Sequence, residues 1–412
     1  MCKWITRIPF HSRPQQAGEH GFPLLAAILL LSYAFFAFGC GMQSAADESQ
    51  KPASALMRQD LSPDERAAAI VQEMSDAEKV GQLVMIGIQG TELDADSRFM
   101  LTEYHVGGII LFDRNMKSQE QEQVRALNGA LQKNAADAGL PLFLAIDEEG
   151  GAVARMKEAF PPPPAAEEIG RTGDPAEARH WAFQTAKGLK AMGFNLNFAP
   201  IADLGAANGR SYADDAASVT AFVDAALEGH ADAGLLACLK HFPGLGRGES
   251  DTHEDTVTVH ADRAALEESD LVPFREMIAK RNATKGAKGA KEKSGWLVMA
   301  THTMYPALDA ERPASLSSAI LQKLLREELG YDGVIATDDL EMGAISRHYG
   351  FDRAGVEAIL SGADLVLVCH DYAHETAVYN GILKAVRSGE ISQARLDASV
   401  KRIVKAKLEY LE

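Results

Sequence analysis

Cysteine is scarce in this chain: four residues in 412, at Cys2, Cys40, Cys238 and Cys369, with no pair at C-x-x-C spacing. That excludes a disulfide-stapled scaffold and a cysteine-built zinc site. Positive charge is short as well, 41 Lys and Arg against 58 Asp and Glu, for a formal charge of -17. A phosphate backbone has to be met by clustered bases, so nucleic acid is not an expected partner. With 46% hydrophobic and 24% charged residues, the composition excludes a disordered or collagenous chain. No glycine-rich dinucleotide fingerprint follows the first apolar run, and no His-x-His pair stands there. Those absences weigh against an open nucleotide-binding sheet and against a metal-dependent barrel hydrolase.

One long uncharged run is present, at residues 21–40, and Lys3, Arg7 and Arg13 precede it. Basic residues followed by an apolar stretch have the order of a secretory signal. The run ends Ala37-Phe38-Gly39-Cys40, similar to a bacterial lipobox, in which a small residue precedes the cysteine that becomes lipidated. The alternative is an uncleaved anchor, since about 20 apolar residues span a bilayer. The expected organisation is a signal peptide over residues 1–40 with Cys40 as the lipidation site, a flexible tether over 41–60, and one folded domain over 61–412. Loss of residues 1–39 removes three bases and Glu19, taking the charge from -17 to -19. The expected location is a bacterial envelope membrane, periplasm-facing or at the cell surface, with the lipid as the membrane contact.

From residue 61 onward, short apolar runs alternate with helical periodicity. The runs fall at 81–87, 108–112, 142–146, 194–199, 235–240, 296–300, 333–337 and 364–369. Between them, 118–137, 175–192, 214–233, 262–280 and 317–328 repeat apolar residues at three- and four-residue spacing, and a closing helix is expected over 392–412. Continuous apolar strands alternating with helices indicate a parallel sheet covered on both faces. Eight such units predict an α/β fold, a single (β/α)8 TIM-type barrel. Residues 284–294, rich in Lys and Gly, read as a solvated surface loop.

In a barrel of this kind, chemistry gathers at the C-terminal ends of the strands. Six of the eight runs end in ionisable or amide groups: Asp147-Glu148-Glu149, Asn197, Lys240-His241, Thr301-His302, Asp338-Asp339 and His370-Asp371. Each has a plainer alternative. Asp338 or Asp339 could cap the following helix, Asp147 could pair with Arg155 as structural electrostatics, and His302 and His370 could be packed histidines. Lys240 is harder to set aside, because a lysine closing an apolar strand needs an anionic or polar partner.

Two longer stretches, KHFPGLGRGESDTH at 240–253 and GVIATDDLEMGAI at 333–345, with LAIDEEGGAVARM, LNFAPIADL, GRSY and MATHTMYPALD in order, complete the pattern. The chain resembles glycoside hydrolase family 3, in its single-domain β-N-acetylhexosaminidase branch of the NagZ type, from about residue 61 to the end. The resemblance implies Asp338 as nucleophile and Asp251 with His253 as an acid/base dyad. It implies Asp147, Arg155, Arg210, Lys240, His241 and His302 as sugar-binding positions, with no cofactor and no metal. Leu245, Thr252 and Ala152 depart from the commoner family residues without removing a catalytic group. Retaining hydrolysis needs a nucleophile on one face of the sugar and an acid/base on the other. A strand-end carboxylate and a loop histidine oriented by an aspartate two residues away supply both. The implied activity is exo-acting release of terminal β-GlcNAc from peptidoglycan fragments or chitin oligosaccharides by a monomer. A β-glucosidase, an N-acetylglucosaminide phosphorylase and a non-catalytic glycan-binding lipoprotein are the alternatives.

Overall fold

The computed structural model describes residue 58 and residues 60–117, 120–137, 139–157, 161–246, 256–284 and 295–411. The N-terminal segment with Cys40, most of the Lys/Gly-rich interruption, and the Asp251 and His253 pair lie outside the described residues. Among the described residues there are ten strands: β1 (Val84–Ile86), β2 (Gly108–Leu111), β3 (Phe143–Ile146), β4 (Leu196–Asn197), β5 (Leu236–Phe242), β6 (Trp296–Ala300), β7 (Met304–Tyr305), β8 (Asp309–Pro313), β9 (Ile335–Asp339) and β10 (Leu365–Val368). Eight of them close a barrel in the order β1-β10-β9-β6-β5-β4-β3-β2, and every pairing in the ring is parallel. The eight are the eight apolar runs of the sequence. β7 and β8 form a separate antiparallel ribbon after β6 that apolar patterning does not announce, since β8 reads Asp-Ala-Glu-Arg-Pro.

Two runs are shorter as strands than as sequence. Residues Gly81 and Gln82 close the helix Asp76–Gln82, which Ser75 and Glu78 start with a reciprocal capping box. β4 is only two residues long, Leu196 and Asn197, and asparagine amides add to the backbone bonds along its seams. Asn195 Oδ1 accepts the Leu144 N–H at 2.8 Å and its Nδ2 donates to the Leu142 carbonyl at 2.8 Å. Asn197 repeats this with the N–H and carbonyl of Glu148, both at 3.0 Å. The Asn-x-Asn spacing puts both amides on one side of the strand.

The helices fall where expected, with one break. Residues 262–280 divide into Arg263–Glu268 and Val272–Thr284. Pro273 sits in the first turn of the second helix, where a missing N–H costs nothing. Ring closure brings the last described helix onto the first two: Gln393–Tyr410 packs on Pro63–Glu73 and Asp76–Gln82. Lys79 meets Asp397 at 2.6 Å there and Lys401 meets Asp64 at 2.8 Å. Cys238 and Cys369 are free and buried.

Register decides what the barrel mouth presents. Along β5 and β6, Lys240 pairs with Met299 and the next partners are Phe242 and Ala300, so β5 carries one extra residue. Along β9 and β10, Ala336 pairs with Leu365 and the next partners are Asp339 and Leu367, so β9 also carries one. Such bulges re-aim side chains that strict alternation would send to opposite faces.

Candidate active site

Asp338 sits next to last in β9, half-buried, with Oδ1 accepting the Asp339 N–H at 2.9 Å. It does not cap the helix Gly343–Ser346, whose N-cap residue is Met342, with no side-chain capping bond. Asp338 opens instead onto a cleft of about 690 Å³, counting space continuous with solvent, shared with Asp147, Arg155, Phe112, Glu341 and His370. Burial works against its charge, but His241, His302, Lys240 and the Asp339 N–H outweigh it and hold the pKa below the ordinary carboxylate value. Asp338 is therefore ionised at neutral pH, as a nucleophile requires.

Across the cleft, Lys240 Nζ lies 2.7 Å from Asp147 Oδ1 and 2.7 Å from Glu149 Oε1. Glu149 in turn takes two hydrogen bonds from Arg210, each 2.8 Å. Asp147 thus pairs with Lys240 rather than with Arg155, which reaches Asp113 at 3.5 Å. Burial raises the Glu149 pKa, and the Lys240 charge and the Arg210 bonds overcome it, leaving a value of about 2. Against burial, Asp147 and Glu149 raise the Lys240 pKa and Glu149 raises that of Arg210. The four groups form one connected network, with Asp147 at its open end.

Behind this floor, His241 Nδ1 meets Asp203 Oδ2 at 2.7 Å. Asp203 Oδ1 accepts the His241 N–H at 3.1 Å and the Leu245 N–H at 2.7 Å. One buried carboxylate so fixes both the imidazole and the start of the loop after β5. Burial opposes the Asp203 charge, but His241 and these N–H groups hold its pKa down. His302 lies beneath the mouth rather than in the cleft, its Nδ1 2.7 Å from Ser315 Oγ and its Nε2 2.9 Å from the Asp339 carbonyl. Burial lowers its pKa, which favours the neutral ring.

Three positions make contacts that the sequence does not specify, although Glu148 and Glu149 are visible there as strand-end groups. Asp203 and Glu149 stand inside the motifs LNFAPIADL and DEEGG, but nothing in spacing says that they anchor His241 and Arg210. Glu148 is the third: its Oε2 accepts the N–H groups of Arg155 at 2.7 Å and Met156 at 3.0 Å, and burial pushes its pKa up to about 7. It holds the turn that carries Arg155. A second cleft, of about 710 Å³, opens at the N-terminal end of the barrel, lined by Ile70, Met74, Leu101, Val106 and Leu140 among others. It gathers no comparable charged network, so chemistry and not size assigns the site.

Residues 76–406 match the family described as Glycosyl hydrolase family 3 N terminal domain. The β-hexosaminidase LpqI of Mycobacterium tuberculosis is 34% identical over 354 residues, covering 82% of this chain and 84% of that protein. The β-hexosaminidase of Stenotrophomonas maltophilia is 38% identical over 312 residues, covering 72% and 86%. Among solved structures, a glycoside hydrolase family 3 β-N-acetylglucosaminidase from Paenibacillus superposes with a TM-score of 0.76 at 41% identity. That match covers 82% of this chain but only 63% of the Paenibacillus chain. The structure of M. tuberculosis LpqI superposes with a TM-score of 0.72 at 33% identity, covering 83% of this chain and 96% of LpqI. In sequence and in architecture alike, the chain belongs to glycoside hydrolase family 3, on the branch whose curated members carry the name β-hexosaminidase.

Proposed function

We propose that this glycoside hydrolase is an exo-acting retaining β-N-acetylglucosaminidase that removes terminal GlcNAc from peptidoglycan fragments or chitin oligosaccharides. The observation that carries the reading is Asp338: a carboxylate kept ionised at a strand end, facing Asp147 and Arg155 across one cleft. In the first step Asp338 attacks the anomeric carbon while His253 gives its proton to the departing glycosidic oxygen. In the second, His253 takes a proton from water, the water oxygen bonds to the anomeric carbon, and Asp338 leaves. Asp251 orients the imidazole and stabilises its charged form. Asp147 accepts from sugar hydroxyls, while Arg155 and Lys240 donate to them. The name of the Paenibacillus relative, a β-N-acetylglucosaminidase, supports the N-acetyl sugar as substrate. Lipidation at Cys40, by the residues before it, would hold the enzyme at an envelope membrane.

The test pairs chromogenic β-N-acetylglucosaminide with the β-glucoside, with and without phosphate and in the presence of chelator. Chelator-resistant cleavage of the N-acetyl sugar alone, independent of phosphate, is expected. Faster cleavage of the glucoside would overturn the substrate, and a requirement for phosphate would make the enzyme a phosphorylase. Asp338→Ala should lower kcat by at least about 10³-fold; retention of most activity would remove Asp338 from its role.

A further inference from the structure

The nucleophile's neighbour, Asp339, takes no part in the steps above. The extra residue in β9 lets both Asp338 and Asp339 face the cleft, so two carboxylates stand side by side at the point of chemistry. Like charges this close each favour protonation of the other. A nucleophile must stay ionised and aligned, so its neighbour has to be occupied elsewhere.

Both oxygens of Asp339 are occupied. Oδ1 accepts the Glu341 N–H at 3.1 Å, and Oδ2 lies 3.0 Å from His370 Nε2. His370 is held from its other side by Arg114, whose Nη1 is 3.0 Å from Nδ1. A guanidinium has only donors, so Nδ1 must present its lone pair and Nε2 must carry the hydrogen that goes to Asp339. The hydrogen bond to Asp339 raises the His370 pKa over the opposition of burial and Arg114, while the Arg114 contact requires a ring whose Nδ1 carries no hydrogen.

Arg114 is itself fixed, donating to the Ile88 carbonyl at 2.9 Å and to the Cys369 carbonyl. Glu341 clamps the same turn: its Oε2 accepts the Cys369 N–H at 2.7 Å and the His370 N–H, and its Oε1 meets His374 Nδ1 at 2.6 Å. The His370 ring also lies against Phe112, centroids 5.0 Å apart. The ends of β1, β2 and β10 are thereby tied to the last two residues of β9.

We propose that Arg114 and His370 form a positioning relay for the nucleophile: Arg114 sets the His370 tautomer, and His370 holds the Asp339 carboxylate. Asp339 then keeps its backbone N–H on Asp338 Oδ1, the 2.9 Å bond already described. The relay touches no reacting atom, and it rests on the reading of Asp338 as the nucleophile.

The test uses the full chain and an aryl β-N-acetylglucosaminide whose leaving group needs no protonation, so that acid catalysis does not limit the first step, while Asp338 bonds in the first step and departs in the second and its alignment is read in kcat. His370→Ala and His370→Phe should lower kcat roughly 10- to 100-fold, the range for a misaligned reacting group, with KM changed less than about threefold. His370→Gln, whose amide N–H can replace the Nε2 donor, should recover to within about fivefold of wild type. A wild-type kcat in His370→Ala, a change confined to KM, or no recovery in His370→Gln would each overturn the relay. Asp338→Ala, run in parallel, separates the two failures. If it stays active the nucleophile reading falls, and if it is dead while His370→Ala is normal only the relay falls.

Discussion

At Lys240 a single ammonium, 3% exposed, faces two carboxylates, Asp147 and Glu149, that would repel each other without it. Removing one partner from a buried ionic network costs more than the network contributes, because the groups left behind stay buried and unpaired. Lys240→Met is therefore expected to lose about 3–5 kcal/mol of stability at pH 7, measured by urea denaturation. The pH dependence has a definite sign. Glu149 titrates at about 2 in the folded chain against about 4.3 unfolded, so its contribution is present above about pH 4 and is lost as pH falls toward 2. The gap between wild type and variant should narrow across that window, and equal stability at pH 7 would show that Lys240 does not hold the network. Lys240 could be singled out in the sequence because a charge at the end of an apolar strand is anomalous. Glu149 could not, since the one-residue shift and the folding-back of the DEEGG turn, which choose its partners, are not written in local spacing.

At the scale of elements, all eight barrel strands were legible as apolar runs because both faces of each are buried. What patterning could not supply was the ribbon β7–β8, whose polar residues look like loop, and the bulges in β5 and β9. Those bulges seat the Lys240-His241 and Asp338-Asp339 pairs, so the least legible backbone lies beneath the most legible motifs. Packing between loops is similarly hidden. A Cβ added at Gly246 would stand 1.7 Å from the Leu204 carbonyl oxygen, beside Asp203 and its bond to Leu245. Gly246→Ala must displace Gly246 from Leu204, five residues before Asp251 and seven before His253 in the sequence. A misplacement of about 1 Å costs on the order of 10²-fold in rate, and overpacking about 1–3 kcal/mol. The expected result is a loss of kcat/KM far larger than the drop in Tm implies. Gly129→Ala is the control: it lies within the helix Gln121–Asp137 with nothing within 4 Å of an added Cβ. It should gain about 0.5–1 kcal/mol from helix propensity and leave activity unchanged. Activity lost equally in both variants would argue that the Gly246 contact does not matter.

The two ends of the barrel do different work: the C-terminal mouth carries the charged network, and the last helix packs on Asp76–Gln82, which leads into β1 at the N-terminal end. Lys407 in that helix is fully buried, with Nζ 2.7 Å from Gln82 Oε1 and 5.1 Å from the centre of the Phe143 ring. Burial pushes its pKa down to about 7, against about 10.4 in an unfolded chain. Between those values the unfolded chain holds a proton that the folded chain has released, so stability rises with pH across the window; below about 7 both states are charged and the full cost of burial remains. Lys407→Met removes that cost but leaves Gln82 Oε1 without its donor, a loss of about 1–3 kcal/mol at any pH. The variant should therefore be more stable than wild type by roughly 1–3 kcal/mol below pH 7, with the advantage shrinking and then reversing toward pH 10. Urea denaturation of both proteins at pH 6 and pH 9 reads this directly, since other titrations cancel in the difference. A gap that does not change with pH would mean that Lys407 keeps its charge in the folded barrel. The kcat of the variant should match wild type, because the substitution lies at the end of the barrel opposite Asp338.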